Sequence, residues 1–186
     1  MSLQLLIPPT EEPLSLDELK AHLRVLSDDE DAAVLQYGEA ARRAVEARGG
    51  LALVAQGWRL ILDRLPNGVL TLPRAPVFSI DAVTLIDKTG AASVIPPEHY
   101  DYETGAMGRI VARGLWPQSA RLIGGVRIDF TAGWADASEV PSELKLAVKM
   151  LAAHFFENRE GAAAERVFAV PQAVDALIAP YRQARL

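Results

Sequence analysis

The sequence predicts a mixed α+β fold: a small helical bundle of two N-terminal and two C-terminal helices that carries a β-rich insertion. Apolar residues recur at helical spacing as far as Gly49-Gly50. From residue 51 they alternate with polar residues, as in half-buried strands. Helical spacing returns at Pro141. We therefore expect three segments: an N-terminal helical pair at 1–50, a β-rich module at 51–134 and C-terminal helices at 135–186.

Two helix starts are predicted near the N-terminus, each from a serine followed three residues later by a glutamate. Ser15 and Glu18 form the first of these capping pairs, and Ser27 and Glu30 form the second. The second helix is expected to end at the glycine pair that includes Gly50, because glycine readily adopts the left-handed conformation after a helix.

The central module is predicted to contain a series of short strands joined by tight turns. Alternating apolar and polar residues indicate strands at 56–63, 69–72, 78–87, 92–95, 99–102, 108–112 and 125–133. The strand at 78–87 is expected to be bulged. Turns are indicated by the glycines, prolines and aspartates of 66–68, 87–90 and 103–105.

Two further helices are predicted after the central module. Pro141 suits the first turn of a helix whose apolar stripe continues to about Glu160. The sequence GAAAERVFAV at 161–170 then breaks the pattern with small residues. Pro171 opens a last short helix, which Pro180 ends or kinks.

Composition and charge exclude several classes of protein. The chain has 186 residues, a formal net charge of −5 and no cysteine. Without cysteine it forms neither disulfides nor thiolate metal sites. The negative charge does not favour a grip on nucleic acid, which normally needs clustered lysine and arginine. No apolar run approaches the roughly 20 residues that span a bilayer, and the first residues lack the basic start of a signal peptide. We therefore expect an intracellular product without membrane contact.

His154 and Glu157 are the strongest candidates for chemistry in the sequence. Their spacing places both on one side of a helix, as in metal-binding carboxylate bundles. A metal site needs at least three convergent ligands, and the only other histidines, His22 and His99, lie in unlike contexts. We therefore favour a structural helix end, with no cofactor and no enzyme activity. A small metal-dependent hydrolase centred on this pair is the alternative.

A family resemblance extends over nearly the whole chain. It is carried, in order, by EPLSLDELKAHLRV at 12–25, LALVAQGW at 51–58, LPRAPV at 72–77, VRIDFTAGW at 126–134, VPSELKLAVKMLAAHFFENRE at 140–160 and VPQAVDALIAPYR at 170–182. In these segments the sequence resembles the head–tail connector, or adaptor, family of tailed phages. The resemblance is to the long form with a β insertion, which occurs in siphophages, prophages and gene transfer agents.

The resemblance implies a structural protein at the neck of a virion or phage-like particle, made in the cytoplasm of a bacterial host. Family members form a ring, usually of twelve copies, below the portal protein. The ring extends the DNA channel, through which DNA passes without sequence-specific binding, and its far side meets a stopper or tail-terminator protein. The alternative within the same particle is another neck ring protein, such as a stopper.

The resemblance also assigns three sets of candidate contact residues. Because the C-terminal segment of the family commonly reaches along the portal, residues 161–170 are expected to form a portal-binding arm, for which an ordinary loop between helices is the alternative. Portal contacts are expected from Val167, Phe168, Val170, Tyr181, Arg182 and Leu186. Contacts between subunits are expected at the end of the long C-terminal helix, from His154, Phe156, Glu157 and Arg159. The candidates for the channel wall, which alternatively form only a solvated helix start, are Asp28, Asp29, Glu30 and Asp31.

Overall fold

A computed structural model describes residues 1–158 and 172–182 of the chain and divides it into two compact units. The β unit consists of Met1–Thr10 and Val54–Ala135. The helical unit consists of Glu11–Leu53 and Asp136–Leu186. Each unit is therefore assembled from two separate stretches of sequence.

Among its described residues, the helical unit contains four helices, two from each of its stretches. They are α1 (Leu16–Leu23), α2 (Asp31–Gly49), α3 (Ser142–Glu157) and α4 (Gln172–Ile178), with short 3-10 turns at Ala137–Glu139 and Ala179–Tyr181. Helix α2 packs against α1, α3 and α4, and α3 packs against α4. The predicted α+β class, with helices at both ends of a β-rich middle, is confirmed.

An apolar core joins these helices. Its fully or almost fully buried side chains come from all four helices and from the segment before α1: Leu14, Leu19, Val34, Ala41, Val45, Leu144, Val148, Leu151, Val174 and Ile178. Burial of one such large aliphatic side chain contributes about 1.5–3 kcal/mol. Tertiary packing thus stabilises helices as short as α1 and α4, which are too short to persist alone in water.

One of the two predicted capping pairs is present in the structure. At the start of α1 the Glu18 N–H donates to Ser15 Oγ over 3.2 Å, and the Ser15 N–H donates to Glu18 Oε2 over 3.0 Å. The second prediction was wrong. Ser27 Oγ instead accepts from the Asp29 N–H and donates to its carboxylate, and the N-cap residue Glu30 makes no side-chain capping bond. A local serine turn thus satisfies Ser27 before the helix begins.

Helix α2 ends where the glycines predict. Gly50 has a φ of 68°, in the left-handed region, and its N–H donates to the Glu46 carbonyl. Since glycine has no Cβ, this conformation carries little strain.

The β unit contains eight strands in two antiparallel sheets. They are β1 (Ser2–Ile7), β2 (Gln56–Leu62), β3 (Leu70–Thr71), β4 (Val77–Ile86), β5 (Ala92–Val94), β6 (Tyr100–Glu103), β7 (Arg109–Ala112) and β8 (Val126–Ala132). The larger sheet has the order β1-β2-β8-β4-β5, and the smaller has the order β3-β7-β6. Strand β4 is bulged in two places, as expected.

The two faces of the larger sheet differ in polarity. Strands β2 and β8 bury alternate residues, among them Trp58, Leu60, Ile128 and Phe130. On the other face, the guanidinium of Arg59 donates two hydrogen bonds of 2.7 Å to the Asp129 carboxylate. This alternation is the pattern that predicted the strands.

Strand β1 was not predicted, because residues 1–50 were expected to form only the helical pair. It pairs with β2, at least 50 residues away, from Ser2 opposite Ile61 to Ile7 opposite Gly57. A short apolar run does not itself distinguish strand from helix. Ile7 lies so close to Gly57 that an added Cβ there would be 3.0 Å from Ile7 Cβ.

Gly133, directly after β8, allows the backbone to pass close to residues 54 and 55. Its φ is 118°, and a Cβ at this position would lie 2.3 Å from the Val54 carbonyl oxygen. The neighbouring Ala55 N–H donates to the Trp134 carbonyl over 2.9 Å. Only glycine can adopt this backbone conformation and also leave room for the close approach of the Val54 carbonyl.

Candidate interaction surfaces

The end of α3 holds three of the predicted subunit-contact residues. The Phe156 ring packs edge-to-face on Tyr37 of α2, with the ring centroids 5.9 Å apart. The carbonyl of His154 accepts a 2.7 Å hydrogen bond from Asn158 Nδ2. His154 and Phe156 are half-buried, whereas Glu157 is exposed. The fourth candidate, Arg159, lies outside the described residues. The aromatic contact holds the end of α3 on α2, so Phe156 has a role inside its own unit.

The His154–Glu157 pair gains no further ligand in the structure. Across residues 1–158 and 172–182, no group of three or more histidine, aspartate or glutamate side chains is arranged to hold a metal ion. His154 contacts the side-chain amide of Asn158 and the neighbouring Phe155 ring, whose centroid lies 6.1 Å away. Nothing in this geometry supports the hydrolase alternative.

Three of the four acidic residues predicted for the channel wall precede α2, and the fourth, Asp31, is the first residue of that helix. Lys20 Nζ donates to both Asp28 and Asp31 over 2.6 Å. The hydrogen bond to Asp28 is the main cause that raises the pKa of Lys20, and the same contact lowers the pKa of Asp28. Asp29 interacts with Ser27, as described above. One lysine therefore offsets part of the negative charge of this segment.

Two of the predicted portal contacts, Tyr181 and Arg182, make hydrogen bonds to side chains of their own unit. The Tyr181 hydroxyl donates to Glu143 of α3 over 3.2 Å. The Asp175 carboxylate accepts from Arg182 over 2.7 Å and from Arg48 of α2 over 2.9 and 3.1 Å. The bond from Arg48 is the main cause that lowers the pKa of Asp175. These contacts attach α4 and the turn after it to α2 and α3.

The remaining portal candidates, Val167, Phe168, Val170 and Leu186, lie outside the described residues. Their assignment stays a prediction.

A buried ionic network, which was not predicted, lies beside α2. The Arg42 guanidinium donates to Glu12 over 2.7 and 3.1 Å and to Glu46 over 2.9 Å. The other Glu46 oxygen accepts from the Leu53 N–H over 2.9 Å. The spacing of Arg42 and Glu46 is visible in the sequence as an ordinary i,i+4 pair. Their burial and the distant partner Glu12 are not.

Residues of this network lie at the points where the chain passes between the β unit and the helical unit. Glu12 follows the first boundary between the units, and Leu53 precedes the second. At the third boundary, the Ala137 N–H donates to the Glu11 carboxylate over 2.8 Å. Side chains inside the helical unit therefore fix each of the three points at which the chain enters or leaves it.

Charge is distributed unevenly between the units. In the full sequence, the β unit has eight basic and seven acidic residues, and the helical unit has eleven and seventeen. The net negative charge of the chain thus comes from the helical unit. Among the described helices, none combines the length and the apolar character needed to cross a bilayer.

Comparison with known structures gives three matches that span the chain. A chain in the "Virion of native gene transfer agent (GTA) particle" is 35% identical, with a TM-score of 0.83. A chain in the "Neck of empty GTA particle computed with C6 symmetry" is 36% identical, with a TM-score of 0.83. A chain in the "Neck of native GTA particle computed with C12 symmetry" is 35% identical, with a TM-score of 0.76. Each match covers 100% of this chain and 97% of the other.

The chain belongs to the family of GTA neck proteins.

This assignment confirms the predicted neck location and structural character of the protein. The matched neck particles also have the rotational symmetry of a ring, sixfold in one case and twelvefold in another. No protein-family model matches this neck protein. No curated protein matches it either.

Proposed function

We propose that this neck protein is the adaptor of its particle: a ring of twelve copies that sits below the portal, extends the DNA channel and joins the capsid to the tail. One observation carries the proposal. The chain is similar over its whole length to a chain in a native GTA neck with twelvefold symmetry. A ring of identical copies is the arrangement that such symmetry describes.

The charge of the helical unit suits a channel through which DNA must slide. Lysine and arginine that contact phosphates hold DNA by releasing its counterions, and the hold increases with the number of such contacts. A unit with an excess of acidic residues makes few of these contacts. We therefore assign Asp28, Asp29, Glu30 and Asp31 to the channel side, with Lys20 moderating their repulsion of DNA.

The portal and the tail contact opposite sides of this ring. We assign portal attachment to residues 161–170 and to the end of the chain, where Val167, Phe168, Val170 and Leu186 supply apolar anchors. Tyr181 and Arg182 fix the turn after α4. Contacts between subunits would involve the exposed Glu157 together with His154 and Arg159. The stopper or tail-terminator protein would then bind the other side of the ring.

The test is deletion of the gene in a strain that produces particles, followed by complementation with a tagged copy. Deletion should give filled heads without tails, and the tag should appear at the neck in electron micrographs. Cross-linking mass spectrometry on complemented particles should recover links to the portal and to a tail-side protein. Links to tail-side proteins alone would identify a stopper. Tails attached normally to heads in the deletion strain would contradict the proposal.

A further inference from the structure

The larger sheet of the β unit has an unprotected edge at β1. Among the described residues, β1 pairs only with β2, so its other side is open. Leu5 and Leu6 are each 43% exposed and Ile7 is 62% exposed. Strand β1 itself contains neither a charged side chain nor a proline, and Pro8 and Pro9 follow its last residue. Proteins usually guard an open edge strand with charge or proline, because an apolar edge readily pairs with another chain.

The opposite edge of the same sheet is also apolar. There, β5 pairs only with residues 84–86 of β4, and Val94 of β5 is 64% exposed. Phe78 lies at a bulge in the part of β4 that β5 does not cover, and its side chain is 63% exposed. The segment 91–95 has no charged residue. The sheet thus exposes apolar side chains at both of its edges. The one charged residue of β4 is Asp81, whose carboxylate accepts hydrogen bonds from Ser79 and Thr131.

Strand direction makes these two edges compatible. Strands β1, β2, β8 and β4 are antiparallel to their neighbours in turn, so β1 and β4 run in opposite directions. A copy of β1 placed beside β4 would therefore continue the antiparallel alternation. The stretch of β4 that other described strands leave uncovered, Phe78–Ala82, is close in length to β1. Because bulges interrupt this stretch, apolar side chains rather than a continuous ladder would carry most of the contact.

A ring of identical copies requires such a pair of unlike surfaces. In a cyclic ring larger than a dimer, each copy contacts the next head-to-tail, so one patch meets a different patch. We propose that the β1 edge of one copy packs against the β4–β5 edge of the next copy and closes the ring. The occupant of each edge is thus a second copy of this chain. This inference rests on the proposed ring and names the surface that forms it.

The dimensions of the sheet are compatible with a closed circle. If the strands run along the ring axis, the width of the sheet determines how much of the circumference each copy covers. The four strands β1, β2, β8 and β4, spaced about 4.8 Å apart, give about 19 Å per copy. Twelve copies, as in the twelvefold neck, then give a circumference of about 230 Å and a diameter of about 70 Å.

The absence of cysteine from the chain permits a direct test by cross-linking. The chain would carry Leu6→Cys and Phe78→Cys together, and purified particles would be treated with a short bifunctional thiol reagent. The control is the pair Leu26→Cys and Leu115→Cys, at residues that are 97% and 95% exposed but lie on neither edge. We expect the edge pair to give a ladder of covalent multimers of this chain. Each single-cysteine variant and the control pair should remain monomeric.

A second variant tests the same contact by charge. Leu6→Lys places a charge on an exposed side chain, so we expect the protein to fold but to enter particles at least tenfold less than the wild type. Leu26→Lys, at the most exposed of these leucines, should enter normally. Circular dichroism of both purified variants checks that they are folded.

The other outcomes separate the inference from the proposed function. If twelvefold necks form but the edge pair gives no ladder, or if Leu6→Lys enters particles normally, the proposed contact between edges is wrong. The proposed ring would still stand. Dimers from Leu6→Cys alone would show β1 against β1, and links from Leu6 to a different neck protein would show another occupant. Either result would overturn the inference. Particles in which this chain forms no ring would overturn both the contact and the proposed adaptor.

Discussion

Replacement of Arg42 tests the buried network beside α2 most directly. The Arg42 side chain is 5% exposed and pairs with Glu46, whose side chain is 7% exposed, and with the partly exposed Glu12. Arg42→Ala leaves the Glu46 carboxylate buried without its guanidinium. Removal of one partner of a buried ion pair typically costs about 3–5 kcal/mol. Since water can reach Glu12, we expect a loss near the lower end, about 3 kcal/mol.

The assay is urea unfolding of the purified chain at pH 7, followed by far-ultraviolet circular dichroism, which reports mainly on the helical unit. A matched control is available at the next residue. Arg43 makes an i,i+4 pair with Glu39, and both side chains are substantially exposed. Surface pairs of this kind contribute about 0.3–0.5 kcal/mol. Arg43→Ala should therefore lower the urea concentration at the midpoint of unfolding several times less than Arg42→Ala does.

A double variant separates lost charge from lost packing. Arg42→Met with Glu46→Gln removes both buried charges, while the glutamine oxygen still accepts from the Leu53 N–H. We expect it to recover most of the stability lost in Arg42→Ala, because a neutral replacement of a buried pair is often well tolerated. The reasoning is refuted if Arg42→Ala costs no more than Arg43→Ala.

Three further changes test local features of the two units. Gly133→Ala should destabilise the β unit by about 3 kcal/mol, since it adds backbone strain to a clash with a carbonyl oxygen. Tryptophan fluorescence during unfolding measures this loss, and Gly68→Ala, which meets nothing within 4 Å, should be nearly neutral. Ser15→Ala should cost about 1 kcal/mol through loss of the α1 cap, and thermal unfolding checks it. Asp175→Asn should weaken the attachment of α4, measured by hydrogen exchange in that helix. Because the pKa of Asp175 is lowered by Arg48, its contribution is present above the pKa of an unfolded carboxyl. It is lost as the pH falls through the lower folded pKa, so wild type and Asp175→Asn should converge in acid. A difference between them that persists in acid would show that the ion pair is not the cause.

The features that sequence predicted correctly depend on neighbours close along the chain. The Ser15 cap and the Gly50 stop each involve groups within a few residues. Strand β1 needs a partner at least 50 residues away, and the Ser27 turn competes locally with the predicted cap. These two features were missed because pairing and burial decide them.

Candidate contact residues were harder to predict for the same reason. Residue type alone does not show that Tyr181 reaches Glu143, or that Lys20 offsets two of the acidic residues. The exposed apolar edge at Leu6 also becomes visible only when the strand order is known. The family resemblance gave the neck location without this knowledge, because it compares whole segments rather than individual contacts.

The division of each unit into two stretches of sequence has a consequence during synthesis on the ribosome. All residues of the β unit have been synthesised once Ala135 has emerged. At that moment α1 and α2 still lack α3, the helix against which they pack. Translation adds about 5–20 residues per second, so this pair stays exposed for seconds. A polypeptide truncated before α3 would display the apolar side of α2, including Val34 and Val45. We expect chaperones to bind such fragments and proteases to degrade them before they can join a growing particle.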